Sequence, residues 1–190
     1  NTLRSEIFIE SENSLVENNN ENIYYFEAPT GSGKTNSSIN LSYKLIEINK
    51  NLNKIFYIYP FNTLIEQTSD SLKNTFGNNK AVYEKFAVIN SIKPIKTYSP
   101  TNKNNEGTNE EFEYTDSDYQ KFWLDKLFLN YPMVLTTNVS LFDIMFGSRR
   151  ESCSGFYQLA NSVVVLDEIQ SYKITIWTEI ITFFKTFADI

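Results

Sequence analysis

Apolar residues in this chain gather in short runs that switch between two periods, and the switching predicts alternating strands and helices. Ile23-Tyr24-Tyr25-Phe26 and Lys54-Ile55-Phe56-Tyr57-Ile58-Tyr59 are compact runs rich in aromatic and β-branched residues, the second stopped by Pro60. Each reads as a strand. Between them Ile39, Tyr43 and Ile46 recur at helical spacing, with Leu41, Leu45 and Ile48 widening the stripe. Thr63 and Glu66 are spaced as a capping box, opening a helix with Leu64, Ile65 and Leu72 on its core side. Ala81 to Ile89 fits a helical turn followed by a short strand. Further on, the pattern predicts a helix near Tyr119 to Leu129, a strand Met133-Val134-Leu135-Thr136, and a short helix carrying Leu141, Phe142, Ile144 and Met145. A polar loop around Arg149 to Gly155 leads to a strand from Ser162 to Leu166. A last helix, from about Lys173, carries Ile176, Trp177, Ile180, Phe183, Phe184 and Phe187. Strands alternating with helices in this way predict an α/β fold, a parallel sheet with helices on both faces.

Composition narrows the picture. The 190 residues suit one domain with a real core, and 41% hydrophobic with 21% charged residues is an ordinary globular balance. Residues 93–118 are the exception: polar, with Glu106, Glu110, Glu111, Glu113, Asp116 and Asp118, they lack apolar groups to offset ordering entropy and read as a mobile acidic insertion loop. No apolar stretch has membrane-helix length, and the N-terminus does not resemble a signal peptide, so no membrane partner is expected. A lone Cys153 excludes an internal disulfide and agrees with a reducing compartment, here expected to be the cytoplasm. The absence of histidine excludes a His-based metal site or general base. A net charge of −6 argues against nucleic-acid affinity over the whole surface, though not against a local groove. The final apolar stripe runs to Ile190 with no stop signal, and the chain is therefore expected to be a fragment of a larger protein.

Two constellations carry chemistry. Ala28-Pro29-Thr30-Gly31-Ser32-Gly33-Lys34-Thr35 fits the phosphate-binding loop, between a predicted strand and a predicted helix. Glycines let backbone N–H groups turn inward around a phosphate, and the helix N-terminus adds its dipole. Thr30, Gly31, Ser32, Gly33, Lys34 and Thr35 are thus candidates for binding a nucleoside triphosphate, Lys34 reaching the outer phosphates and Thr35 a magnesium ion. Val163-Val164-Val165-Leu166-Asp167-Glu168 is an apolar strand ending in two carboxylates. The end of such a strand opens onto the ligand crevice of a parallel sheet. Asp167 is the candidate magnesium ligand and Glu168 the candidate base for the attacking water, which together with Lys34 makes a catalytic set for triphosphate hydrolysis. The plain alternatives are a glycine turn before a helix and a solvated acidic turn after a strand.

Asp167-Glu168-Ile169-Gln170 resembles motif II of the superfamily 2 helicases, and Ala28 to Thr35 resembles their motif I. Pro60-Phe61-Asn62-Thr63-Leu64-Ile65-Glu66-Gln67 resembles motif Ia, and Thr136-Thr137-Asn138-Val139-Ser140-Leu141-Phe142-Asp143 the next DNA-contacting motif. The resemblance spans nearly the whole chain and implies the first RecA-like domain of a P-loop NTPase motor that uses ATP and Mg2+. It implies that Gln170 senses nucleotide state, and that Pro60, Phe61, Asn62, Thr63, Gln67, Thr136, Thr137 and Asn138 lie along single-stranded DNA. Helix capping for the threonines and a core role for Phe61 are the alternatives. Leu3-Arg4-Ser5-Glu6-Ile7, the run from Leu135 to Asn138, and Ala160 to Gln170 look like the CRISPR-associated helicase of type I systems. That resemblance implies a prokaryotic antiviral translocase working with a guide-RNA surveillance complex, a second RecA-like domain and an HD nuclease domain or subunit. Residues 1–27 contain no glutamine to read adenine, and no Ser-Ala-Thr motif follows Asp167. A restriction-type superfamily 2 translocase, a P-loop phosphotransferase and a nucleotide-gated docking module without turnover remain alternatives.

Overall fold

A computed structural model describes residues 2–76, 85–89, 124, 129–148, 150–171 and 177–188. The acidic segment 93–118, nearly all of the expected helix 119–129, positions 81–84, Arg149 and residues 173–176 lie outside the described residues.

Four strands form one parallel sheet: β1 (Lys54–Tyr59), β2 (Phe86–Ile89), β3 (Met133–Thr137) and β4 (Ser162–Leu166), in the order β2-β3-β1-β4. Parallel neighbours require crossovers. Here these include α3 (Asn62–Phe76) after β1, and α4 (Asn138–Phe146) and α5 (Arg150–Leu159) between β3 and β4. Before β1 come α1 (Thr2–Glu17) and α2 (Lys34–Ile48), and after β4 a short 3-10 turn (Ile169–Ser171) and α6 (Trp177–Ala188). The α/β class with helices on both faces is therefore as the alternation predicts.

Alternate residues of β1 serve opposite faces. Ile55, Tyr57 and Tyr59 pack with Ile39 of α2 and with Ile65 and Leu72 of α3, while Phe56 and Ile58 pack with Leu141 of α4. Every residue of β1 and β3 is buried, as expected of central parallel strands. In β1 even Lys54 is buried; its Nζ donates to the Leu129 carbonyl at 3.0 Å and to the Gln158 side-chain oxygen, and burial lowers its pKa.

Three readings of the pattern need correction, and one helix went unread. The run Ile23–Phe26 forms no strand; Ile23 is 43% and Tyr25 76% exposed, because an apolar run becomes a strand only where a partner edge receives it. Thr2–Glu17 is a helix that has no clean apolar stripe, since much of its docking is polar: Glu12 accepts from Asn40 Nδ2 at 3.0 Å and pairs with Lys44 at 3.5 Å. The expected loop at 149–155 is largely α5, whose small residues Ser152 and Gly155 are buried. An added Cβ at Gly155 would meet the Ile144 side chain at 3.1 Å, so close packing on α4 replaces a wide apolar stripe. Finally, α3 opens at Asn62, one residue before the expected cap Thr63.

Candidate active site

The candidate residues gather at the C-terminal ends of the strands. In the loop between α1 and α2, Ser32 N donates to the Pro29 carbonyl at 3.2 Å, closing a turn in which Gly31 has φ +78°. That positive φ at the third turn position is what a type II turn demands. Gly33 follows at φ +91° as the residue before α2, with no side-chain cap, so the first N–H groups of Lys34–Ile48 have no side chain capping them there. A Cβ added to either glycine would meet nothing within 4 Å, so the space over the loop is open. The Ser32 hydroxyl is buried with no hydrogen-bond partner among the described residues, and Lys34 makes no ion pair among them. A left-handed loop, open space, an orphaned hydroxyl and an unneutralised ammonium fit a phosphate group.

At the end of β4 the Asp167 N–H donates to the Ile58 carbonyl at 3.0 Å, extending the β1–β4 ladder by one residue. Its Oδ1 accepts from the Glu168 N–H at 2.8 Å. Glu168 has φ +49°, left-handed backbone that non-glycine residues rarely adopt. Its carboxylate accepts from the Gln170 side-chain amide, and its carbonyl from Ser171 N at 2.8 Å. The kink thus turns the chain from strand into the 3-10 turn and sets Glu168 and Gln170 against one another.

Two residues that the sequence reading missed join these two parts, and a third, Arg4, braces the loop from α1. Tyr57 of β1 donates its hydroxyl to Asp167 Oδ2 at 3.0 Å and lies 2.6 Å from Ser38 Oγ of α2. Ser38 also reaches the Thr35 carbonyl at 2.9 Å. The phosphate-loop helix and the Asp167 carboxylate are therefore one phenol apart. Burial first, then the nearby Tyr59 and Asp167, push the Tyr57 pKa far up, so its proton stays in place. Arg4 of α1 donates Nε to the Gly31 carbonyl at 2.9 Å. Tyr57 reads as a strand former in the sequence; its one signal was a hydroxyl in a run otherwise set for burial, which demands a partner.

A magnesium ion takes oxygen ligands in octahedral array. Among the described residues no three Asp, Glu, His or Cys side chains cluster; the Thr35 hydroxyl and the Asp167 carboxylate are the oxygen donors that could share such an ion with phosphate oxygens and water.

The expected nucleic-acid residues divide into two groups. Phe61 is 57% exposed, and Thr63 and Gln67 are also exposed at the start of α3. Asn62 is half-buried with its Oδ1 unpartnered among the described residues, and Pro60 and Asn138 are half-buried too. Thr136, by contrast, is buried and donates Oγ1 to the Ile89 carbonyl at 2.7 Å. Thr137 is buried as the N-cap of α4, accepting from Ser140 N at 3.2 Å. Both hydroxyls are bonded within the protein, Thr137 as a helix cap and Thr136 as a tie to the neighbouring strand β2.

Residues 4–189 match the family described as "Type III restriction enzyme, res subunit", a superfamily 2 DExD/H-like helicase domain. The chain belongs to that family. No curated protein matches it. Membership accounts for the parallel α/β sheet and for both motifs at one sheet edge, and brings with it the ATP-dependent motor character of helicase-like domains.

Proposed function

We propose that this chain is the nucleotide-binding RecA-like domain of an ATP-dependent DNA motor, with its hydrolytic centre between the loop 30–35 and Asp167-Glu168. The observation that carries this reading is the Ser38–Tyr57–Asp167 chain of hydroxyl contacts, which brings the helix after the phosphate loop to the carboxylate at the end of β4. In this reading the N–H groups of Gly31 to Thr35 cradle the phosphates of ATP, and Lys34 neutralises their outer charge. Thr35 and Asp167 would hold a magnesium ion, which would supply charge stabilisation for the phosphoryl transfer. Glu168 orients and deprotonates the attacking water. Gln170, already bonded to the Glu168 carboxylate, carries the state of that residue outward. Phe61, Asn62, Thr63, Gln67 and Asn138 face single-stranded DNA beside Pro60, with backbone N–H groups at the start of α4 available to its phosphates.

We further propose that the motor serves a type I CRISPR system in the prokaryotic cytoplasm, acting on DNA opened by a guide-RNA surveillance complex, with a second RecA-like domain and an HD nuclease. The stretches Leu3–Ile7, Leu135–Asn138 and Ala160–Gln170 support this. The name of the matched family favours a second reading, a restriction-type translocase. ATP turnover by the protein, measured alone, with single-stranded DNA and with intact duplex, separates them. Stimulation by single strands is expected. Stimulation by duplex alone favours the restriction-type motor, and binding of ATP with no turnover under any condition overturns the motor reading in favour of a docking module.

A further inference from the structure

We propose that Tyr57 is a positioning residue for the Asp167 carboxylate and, through Ser38, couples it to the helix that presents Thr35. The proposal rests on the nucleotide-site reading above. Asp167 is gripped on both oxygens from different sides: Oδ1 by the Glu168 N–H at 2.8 Å, Oδ2 by the Tyr57 phenol at 3.0 Å. Each oxygen keeps a lone pair for a cation. A bond from a neutral donor to a carboxylate is stronger than one between neutral groups, and with one such bond on each oxygen the plane of the carboxylate is held against rotation.

The phenol is itself fixed. Tyr57 is 1% exposed in the middle of the sheet, and its ring stacks on Tyr59 with centroids 4.8 Å apart. Two hydroxyl protons, those of Tyr57 and Ser38, serve three contacts: Tyr57 with Asp167, Ser38 with Tyr57, and Ser38 with the Thr35 carbonyl. The charged carboxylate takes the Tyr57 proton, which leaves the Ser38 proton to divide between the phenol oxygen and the Thr35 backbone. The first turn of α2 and the end of β4 therefore share one hydrogen-bonded unit. Thr35, one turn before Ser38, and Asp167 are the two protein groups assigned to magnesium, and this unit sets the relation between them. Partners of this kind orient metal ligands without touching the metal.

The test uses a fluorescent ATP analogue (mant-ATP) titrated into the protein over a range of magnesium concentrations and in EDTA. For Tyr57→Phe, the magnesium concentration giving half-maximal tight binding is expected to rise about tenfold, with affinity in EDTA within about twofold of wild type. Ser38→Ala, which loses only the coupling, should shift in the same direction by less. Tyr59→Phe removes the hydroxyl of the neighbouring stacked ring and should leave the magnesium dependence where it was. An unchanged dependence in Tyr57→Phe overturns the proposal while leaving the nucleotide site standing, and an equal shift in Tyr59→Phe overturns it by tracing the effect to general loosening of the sheet. If Tyr57→Phe fails to fold, Ser38→Ala decides alone: a shift supports the coupling and none overturns it. Wild-type protein with no magnesium-dependent binding overturns the nucleotide-site reading itself.

Discussion

At the scale of single residues, Glu168 carries the clearest sign of constraint. A left-handed backbone costs a non-glycine residue about 1–2 kcal/mol, and Glu168 at φ +49° bears that cost at the end of β4. Glycine removes it. Glu168→Gly is therefore expected to resist urea better than Glu168→Ala by about 1 kcal/mol, inverting the usual order in which glycine is the weaker residue. Glu168→Gln should keep ATP binding and lose phosphate release; normal hydrolysis by that variant contradicts the water-activating role. The buried tyrosines give a pH dependence with a definite sign. Desolvation raises the pKa of Tyr57 and Tyr59 above the unfolded value of 10.0. Groups raised in the folded state contribute stability that is complete below pH 10 and is lost as pH rises past it, by up to about 1.4 kcal/mol per unit for each tyrosine. Urea midpoints should fall above pH 10, and less steeply in Tyr57→Phe. The residue types of Lys34, Asp167 and Glu168 were legible because their chemistry follows from motif and spacing. The strain at Glu168 and the role of Tyr57 were not, because a dihedral angle and a contact between residues 110 apart in sequence leave no local trace.

At the scale of elements, burial on both faces made β1 and β3 easy to read and misled on Ile23–Phe26. A run of apolar residues states a need for cover, which a neighbouring strand or a helix can meet, and these four residues meet it with neither a ladder nor full burial. The helices α1 and α5 went unread for the opposite reason: polar contacts dock the first and small residues the second, so neither has a wide apolar stripe. Helix caps mark another boundary between structure and function. Thr137 satisfies the Ser140 N–H, and Thr137→Ala should cost about 1 kcal/mol in urea denaturation. A loss of DNA-stimulated turnover larger than that destabilisation explains would support a direct role for Thr137 on the DNA.

At the scale of the whole molecule, the α/β class followed from alternation, but the strand order did not. Sequence order runs β1 to β4, whereas β1 lies inside the sheet between β3 and β4, an arrangement set by crossover packing rather than by any segment alone. That arrangement carries the account, since it sets Tyr57 of β1 beside the end of β4 and beneath α2. A net charge of −6 argues against DNA affinity over the whole surface, so binding to single strands should be weak and should fall steeply with salt. The claim on which the rest depends is that the loop 30–35 holds the phosphates of ATP. Equilibrium binding of mant-ATP with magnesium to wild type and to Lys34→Ala tests it most directly. The account predicts at least about a tenfold loss of affinity in the variant, in line with removing a charged contact to phosphate. Equal affinity in the two proteins contradicts it.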